Sequence, residues 1–175
     1  MLIWIGGPEH AVLAYPPPGA KTPEYNLTID RLAAQVVFNE SDISIWQIPR
    51  NVYRQTLYSN AELRQLARES TRLGAFLKQA LDGVASAVAK MGGNIGETYV
   101  LGDTPLVTMT ALQSSFEPDP SSSLYIVRPT PLIDDEGGYT ANENGRPMRV
   151  YTSVDNRMSF QDMKLKFVEH DKAIP

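Results

Sequence analysis

The first residues of the chain constrain its fold more than any other segment. Leu2 to Ile5 form an unbroken apolar run that ends at Gly6-Gly7. Runs without polar alternation are typical of strands that are buried on both faces of a parallel sheet. Such a strand needs neighbours on both sides, because an apolar sheet edge invites aggregation. The chain therefore predicts an α/β fold whose sheet is cut through its middle.

The segments that follow continue an alternation of helix and strand. Asp30 is placed to cap a helix over residues 31–38, and residues 43–48 form a second apolar run closed by Pro49. The order strand, helix, strand indicates a βαβ-like unit. The helix's spacing predicts a buried face formed by Leu32, Ala33, Val36 and Val37.

The second half of the chain carries clear helix signals. Ser59 and Glu62 have the spacing of a capping box, and the apolar helical pattern after them contains Gly74, which predicts a bend or a split. Further predicted elements are a strand at 98–101, a helix starting at Asp103-Thr104-Pro105, and strands at 124–133 and 148–154. A terminal helix is predicted as well, with Ser159 and Asp162 as its capping box and with Met163 and Phe167 facing the core.

Composition excludes several classes of protein. A length of 175 residues suits one domain, 1–175, with a β-rich appendage at 121–154. A net charge of −4 and a pI near 5.2 argue against nucleic-acid and anionic-membrane partners, which select basic surfaces. The absence of cysteine excludes disulfides and thiolate chemistry. No apolar run reaches the roughly 18 residues of a membrane span, and the N-terminus lacks the basic start of a signal peptide.

Two segments place polar side chains where α/β proteins bind ligands, between a strand and the next helix. Glu24 and Asn26 lie two residues apart, so both side chains point the same way if the segment is extended. A carboxylate and an amide in one pocket suit sugar hydroxyls, although a solvated loop with local turn hydrogen bonds fits the spacing as well. Asp103 fits a ligand for a hard cation, and it fits a helix cap equally well.

The remaining polar and aromatic residues carry weaker signals. His10 and His170 are isolated from other metal-binding side chains, which favours surface or loop positions. Residues 134–136 form a short acidic turn that is most simply solvated. Trp4 and Trp46 lie inside apolar strands and are expected in the core.

Several motifs together resemble the inosine-uridine preferring nucleoside hydrolase family. In chain order they are Trp4-Ile5-Gly6-Gly7, Pro23-Glu24-Tyr25-Asn26-Leu27-Thr28-Ile29-Asp30 and Ala33-Ala34-Gln35-Val36-Val37-Phe38. Leu101-Gly102-Asp103-Thr104-Pro105 lies where the family has a late helix start. The tail around 146–160 resembles that of divergent bacterial members. The resemblance spans essentially the whole chain. It implies the C-terminal part of a mixed, mostly parallel sheet flanked by helices, in a bacterial cytoplasmic or periplasmic protein.

The resemblance also implies roles for individual residues. Glu24 and Asn26 would bind ribose hydroxyls, Tyr25 would shape the pocket, and Asp103 would be a calcium ligand. The implied substrate is a nucleoside or related riboside. Calcium would hold the sugar hydroxyls and lower the pKa of the attacking water during hydrolysis of the N-glycosidic bond. A homo-oligomer is implied as well.

Two departures from the family pattern shape the hypotheses about function. The family's N-terminal aspartate cluster has no counterpart in these 175 residues, and Gly102 stands where many members carry a histidine that protonates the leaving base. The first hypothesis is therefore the ribose-binding half of a calcium-dependent nucleoside hydrolase-like protein, inactive alone and completed by an N-terminal half. The alternative is a non-catalytic binding or structural module that keeps the fold.

Overall fold

The computed structural model describes residues 1–21, 23–112, 116 and 122–173. In chain order the elements are β1 (Leu2–Ile5), α1 (Tyr25–Ile29), α2 (Arg31–Gln35), a π-helical segment (Val36–Glu40), β2 (Ile45–Ile48), α3 (Arg50–Tyr53), β3 (Leu57–Ser59), α4 (Asn60–Glu69), α5 (Leu73–Lys90), β4 (Thr98–Val100), α6 (Thr104–Ala111), β5 (Leu124–Pro129), β6 (Leu132–Ile133), β7 (Tyr139–Thr140), β8 (Pro147–Ser153) and α7 (Asn156–Ala173).

The chain divides into two compact units. The first combines Met1–Gln55 with Gly102–Asp155, and the second combines Thr56–Leu101 with Asn156–Pro175. The sequence predicted one domain over 1–175 and contained no linker that marks this division.

The first unit is built on a four-stranded sheet with the order β1-β2-β8-β5. β1 is parallel to β2, from Leu2 opposite Ile45 to Ile5 opposite Ile48, and β2 is parallel to β8. β5 closes the other side of the sheet and is antiparallel to β8. The predicted mixed, mostly parallel sheet is therefore confirmed.

Helices cover both faces of this sheet, so it has two cores. One core joins β1 and β2 to α3 and α6 through Ile5, Ile48, Val52, Met109 and Tyr151. The other joins the sheet to α1 and the π-helical segment, and its buried residues are Leu27, Phe38, Ile45, Ile133, Met148 and Val150. Within β1 only Ile5 is fully buried, because its outer edge pairs with no strand of the described chain.

The helix predicted over 31–38 differs from the prediction in its length and its buried face. Asp30 caps α2 as predicted, since its Oδ1 accepts from the backbone N–H of Ala33 at 2.9 Å. However, the helix continues as a π-helical turn from Val36 to Glu40. Of the predicted buried face only Val37 packs on the core, together with Ala34 and Phe38, whereas Leu32, Ala33 and Val36 are exposed.

The strands predicted as an appendage at 121–154 are largely part of the main sheet. β8 lies between β2 and β5 and pairs with both, while only β6 and β7 form a separate hairpin. The prediction of an appendage is corrected to this extent. Residue 121, its predicted first residue, lies outside the described residues.

The second unit packs α4, α5 and α7 with the β3–β4 hairpin around Tyr58, Leu63, Leu66 and Leu81. The capping box of Ser59 and Glu62 is confirmed. The predicted split lies between the end of α4 at Glu69 and the start of α5 at Leu73. Gly74 lets the two helices approach closely there, since a Cβ at this position would lie 2.6 Å from the Leu66 carbonyl oxygen.

The terminal helix starts earlier than the sequence predicted. It begins at Asn156 rather than after Ser159, so Ser159 is a buried residue of the first turn and not a cap. Asp162 instead pairs with Lys166 one turn later at 2.8 Å. Met163 and Phe167 pack against the core of this unit as predicted.

Candidate functional site

The polar centre of the first unit forms where β1 ends at Gly6-Gly7. Gly7 has a φ of +83°, and a Cβ there would lie 2.1 Å from Tyr139 Oη and 2.6 Å from Gln47 Nε2. The Gly7 N–H donates to Glu24 Oε2 at 2.7 Å, and its carbonyl accepts from the Arg50 N–H at 3.1 Å. Only glycine satisfies both the backbone conformation and the close approach.

Glu24 is a fully buried carboxylate, 1% exposed, that accepts four hydrogen bonds. Oε2 accepts from the N–H groups of Gly7 at 2.7 Å and Leu27 at 3.1 Å. Oε1 accepts from the Asn26 N–H at 3.1 Å and from Tyr53 Oη at 2.6 Å. Glu24 is thus the N-cap of α1 and also ties that helix to β1 and α3.

Glu24 and Asn26 do not point the same way, because the segment starts a helix and is not extended. Asn26 is half-buried, and its Nδ2 donates to the Ile5 carbonyl at 3.2 Å. No described residue donates to its Oδ1. Tyr25 projects outward and is 75% exposed.

Asp103 is exposed at the N-cap position of α6, but its side chain makes no capping hydrogen bond. Of the two roles that the sequence left open for Asp103, the carboxylate does not perform that of a helix cap. Its oxygens remain accessible to a ligand, because the side chain is exposed and makes no capping hydrogen bond. Pro105, in the first turn, favours the start of α6.

Asn26 and Asp103 share one cavity of about 490 Å³ beside β1. Its walls are mostly apolar, with Asn26, Asp30 and Asp103 as the polar members. The complete lining is Leu2, Ile3, Trp4, Ile5, Asn26, Ile29, Asp30, Ala33, Ala34, Val37, Phe38, Asp103 and Leu106. Glu24 and Tyr25 are not among the lining residues. The structure thus brings two of the four predicted site residues together.

Behind this site lies a buried network that the sequence did not reveal. His10 lies in the loop between β1 and α1, one of the two positions expected for it, but it is 3% exposed and therefore not at the surface. Its Nε2 lies 2.7 Å from Gln47 Oε1, and Gln47 Nε2 donates to the Gly6 carbonyl at 2.8 Å and to Tyr139 Oη at 2.6 Å. The available signal was Gln47, a polar residue inside an apolar strand, which needs buried partners.

Burial sets the protonation of this network. It lowers the pKa of His10 to about 4, against a smaller opposing effect of the Gln47 hydrogen bond, so the ring is neutral and donates through Nε2. Burial, together with the nearby Glu24 carboxylate, raises the pKa of Tyr53. Tyr53 therefore remains a hydroxyl donor to Glu24 across the usual pH range.

A buried ion pair anchors the loop between β1 and α1. Arg50 is buried and donates to both oxygens of Glu9, at 2.8 and 2.5 Å, and to the Lys21 carbonyl at 2.6 Å. Although burial acts to raise it, the pKa of Glu9 is lowered by the hydrogen bonds and charge of Arg50. Through Glu9 and the Lys21 carbonyl, Arg50 fixes both ends of the proline-rich loop between β1 and α1.

The described residues do not by themselves form a calcium site. Within ranges 1–21, 23–112 and 122–173 there is no group of three or more His, Asp or Glu side chains placed to hold a metal ion. Calcium takes six to eight oxygens, and at this cavity Asp103 offers one free carboxylate. No chemical step through a metal therefore follows from these residues alone.

Comparisons with known proteins bear on the fold. No family model matches the sequence, and no curated protein matches it. Among solved structures, the chain is similar to the inosine-uridine preferring nucleoside hydrolase from Bacillus anthracis, with a TM-score of 0.62 and 17% identity. The match covers 95% of this chain and 50% of that one, so the chain spans about half the length of the solved structure.

The chain has a nucleoside hydrolase-like fold. At 17% identity the likeness is one of architecture, and it does not establish membership of the family. Among the described residues, no helix combines the length and apolarity needed to cross a membrane.

Proposed function

We propose that the chain is the ribose-binding half of a calcium-dependent nucleoside N-ribohydrolase-like protein. The observation that carries this proposal is the shared cavity of Asn26 and Asp103, two residues far apart in the sequence. Their cavity runs along β1 and reaches its carboxyl end, where Asn26 contacts the Ile5 carbonyl. Ligands of open α/β folds bind at the carboxyl ends of the strands. The nucleoside hydrolase-like architecture supports the same assignment.

In this proposal Asn26 and Asp103 bind the sugar. The Nδ2 of Asn26 is held by the Ile5 carbonyl, which fixes the amide and directs its oxygen to accept from a ribose hydroxyl. The free Asp103 carboxylate accepts from another hydroxyl or, in the completed protein, binds calcium. The apolar wall formed by Trp4 and Phe38 suits the non-polar face of a sugar or base.

Glu24 takes part only through an exchange of partners. Its oxygens already accept four hydrogen bonds, so a ribose hydroxyl has to replace the Tyr53 hydroxyl as donor to Oε1. Tyr53 is the suitable partner to leave, because it is a side chain and the other three donors are fixed backbone N–H groups. Tyr25 does not line the cavity, and in this proposal it shapes only the approach to it from its exposed position.

The chain binds in this proposal but does not catalyse. Cleavage of an N-glycosidic bond needs an acid for the leaving base and a base for water, and the position of Gly102 supplies neither. Asp30, the other carboxylate of the cavity, is already used as the cap of α2. The remaining carboxylates and most calcium ligands would come from the N-terminal half.

Ligand-observed NMR and calorimetric titration with inosine and uridine test the proposal. Binding should be measurable for the wild-type chain and weakened at least about tenfold by Asn26→Ala, which removes one hydrogen bond and one fixed polar group. Glu143→Gln serves as the control, since Glu143 is exposed and lies outside the cavity. Equal, weak binding by both variants and the wild type would remove the basis for a riboside site.

A non-catalytic module is the second candidate, favoured by one observation. Glu24 is saturated by structural hydrogen bonds, and a carboxylate used in this way stabilises the fold without any ligand. Calcium separates the two candidates, because a functional metal site raises the melting temperature when the ion is added to the completed protein. No shift with calcium at any accessible concentration favours the module.

A further inference from the structure

The turn between β7 and β8 contains the one asparagine of the chain that is followed by glycine, Asn144-Gly145. It is a β-turn from Asn142 to Gly145, closed by the Gly145 N–H, which donates to the Asn142 carbonyl at 3.0 Å. Glu143 and Asn144, its two central residues, are exposed. Among the described residues, none is hydrogen-bonded to the side-chain amide of Asn144. This amide is therefore free to turn towards its own backbone.

Packing against Thr130 fixes glycine at position 145. A Cβ there would lie 2.1 Å from the Thr130 carbonyl oxygen and 2.8 Å from the Thr130 nitrogen, so no larger residue fits beside this backbone. An asparagine followed by glycine cyclises more readily than other asparagine pairs, because no side chain hinders attack by the next peptide nitrogen. The fold thus requires the residue that makes Asn144 chemically labile.

We propose that Asn144 is a site of spontaneous covalent modification, at which asparagine is converted to aspartate and isoaspartate. The Gly145 N–H loses its proton to hydroxide, and the nitrogen forms a bond to the Asn144 Cγ. The Cγ–Nδ2 bond then breaks, and Nδ2 leaves as ammonia after taking a proton from water. Water opens the resulting cyclic imide: addition at Cγ gives aspartate, and addition at the backbone carbonyl carbon gives isoaspartate.

The attack needs the turn to open, because the Gly145 N–H is engaged in the hydrogen bond that closes it. This opening is local, since the turn lies at the surface beyond the ends of β7 and β8. Exposed turns held by few hydrogen bonds open at a small cost in free energy compared with the unfolding of a core strand. The reaction can therefore proceed while the sheet stays folded.

Arg146, the next residue, separates the turn from the cavity. Its carbonyl accepts from the N–H and the hydroxyl of Thr130, at 2.9 and 2.7 Å. Its guanidinium donates to the carbonyls of Val37 and Phe38, which line the cavity, at 2.7 and 3.0 Å. Isoaspartate lengthens the main chain by one atom, and the side held by Arg146 has no room for it. The exposed residues 141–144 therefore take up the added length, and the cavity wall keeps its position.

The modification is measured on the intact chain, incubated at neutral and at mildly alkaline pH. Each conversion changes the formal net charge from −4 to −5, so isoelectric focusing should show a more acidic species that increases with time. It should form faster at the higher pH, because the attacking nitrogen must lose its proton. Peptide mapping by mass spectrometry should place the change at Asn144. A chain that keeps its charge, or that changes first at another asparagine, overturns the proposal.

Two variants separate the role of the turn from that of the dipeptide. Asp82→Asn places the same dipeptide, before Gly83, inside α5, where helical hydrogen bonds hold the backbone. Position 82 should convert more slowly than Asn144 in that chain, and equal rates would overturn the assignment to the exposed turn. Asn144→Gln should show no conversion in the same period, because the longer side chain closes its ring less readily; an unchanged acidic species would place the reaction elsewhere.

The products show where the added length goes. Asn144→Asp serves as the standard for the aspartate product, so that a second product of equal mass and different retention identifies isoaspartate. In the purified isoaspartate form the Gly145 amide should exchange faster, because the turn hydrogen bond is lost, while the urea midpoint of tryptophan fluorescence should stay that of the unmodified chain. A lower midpoint would show that the change reaches Arg146 and would overturn its confinement to the turn. The inference stands without the proposed function, since no riboside takes part.

Discussion

Replacement of Glu24 by glutamine is the sharpest test of how the site is held together. Glu24→Gln keeps the shape of the side chain but turns one of its two acceptor oxygens into a donor. If the amide nitrogen faces Tyr53, the phenol can rotate to accept from it, and the Asn26 N–H loses its acceptor. If it faces the other way, the N–H groups of Gly7 and Leu27 both lose theirs.

The first orientation is the less costly one and sets the expected magnitude. One unpaired N–H costs about 1–3 kcal/mol, and loss of charge weakens the remaining hydrogen bonds by about 1 kcal/mol in total. Glu24→Gln should therefore lower the free energy of unfolding by about 2–4 kcal/mol. Urea denaturation followed by tryptophan fluorescence measures this unit specifically, because Trp4 and Trp46, the two tryptophans of the chain, both lie in it.

Glu143→Gln is the matched control, since it makes the same chemical change at an exposed position. It should alter the free energy of unfolding by less than about 0.5 kcal/mol. A loss below that same value for Glu24→Gln would refute the reasoning, because it would mean that the four hydrogen bonds of Glu24 contribute nothing that a neutral amide cannot supply.

Three further outcomes follow from the described contacts. The folded-state pKa of His10, about 4, lies below its usual 6.5, so the unfolded state binds more protons and stability falls by up to about 3 kcal/mol as the pH drops from 6.5 to 4. Urea titrations at several pH values should show a smaller decrease for His10→Gln than for wild type, and an equal decrease would contradict the assignment. Gly7→Ala should destabilise far more than Gly19→Ala in thermal melts, because both have positive φ but only Gly7 has atoms within 3 Å of the new Cβ; similar losses would show that backbone strain alone matters. Ser59→Ala should cost about 1 kcal/mol by removing the capping box of α4, as far-UV circular dichroism in urea would show, whereas no loss would mean that packing alone holds that helix start.

Local signals predicted much of the fold. The apolar run of β1, the cap at Asp30 and the capping box at Ser59 each depend on residues within one or two turns of chain, and each is found in the structure. The placement of β8 between β2 and β5 was not predictable in this way. It depends on pairing between segments about 100 residues apart, which no local pattern encodes.

The candidate site was predicted in part for the same reason. Glu24 and Asn26 were found because they follow a strand and precede a helix. Their side chains diverge because α1, which the sequence did not predict, starts at Tyr25 and makes Glu24 its N-cap. The burial of His10 was missed because it depends on Gln47 and Tyr139, which reach it from distant parts of the chain. A periodic pattern cannot report such contacts.

The Arg50–Glu9 pair and the Gly7–Glu24 hydrogen bond allow the loop between β1 and α1 to vary in length. Together they close the loop at its base, so the tip from Val12 to Pro18 contributes little to the stability of its ends. The entropy of closing a loop grows only with the logarithm of its length, at about 0.6 kcal/mol for each doubling. Insertions at the exposed tip near Val12 should therefore leave the cavity intact, which makes this position a natural attachment point for a label or a fused domain.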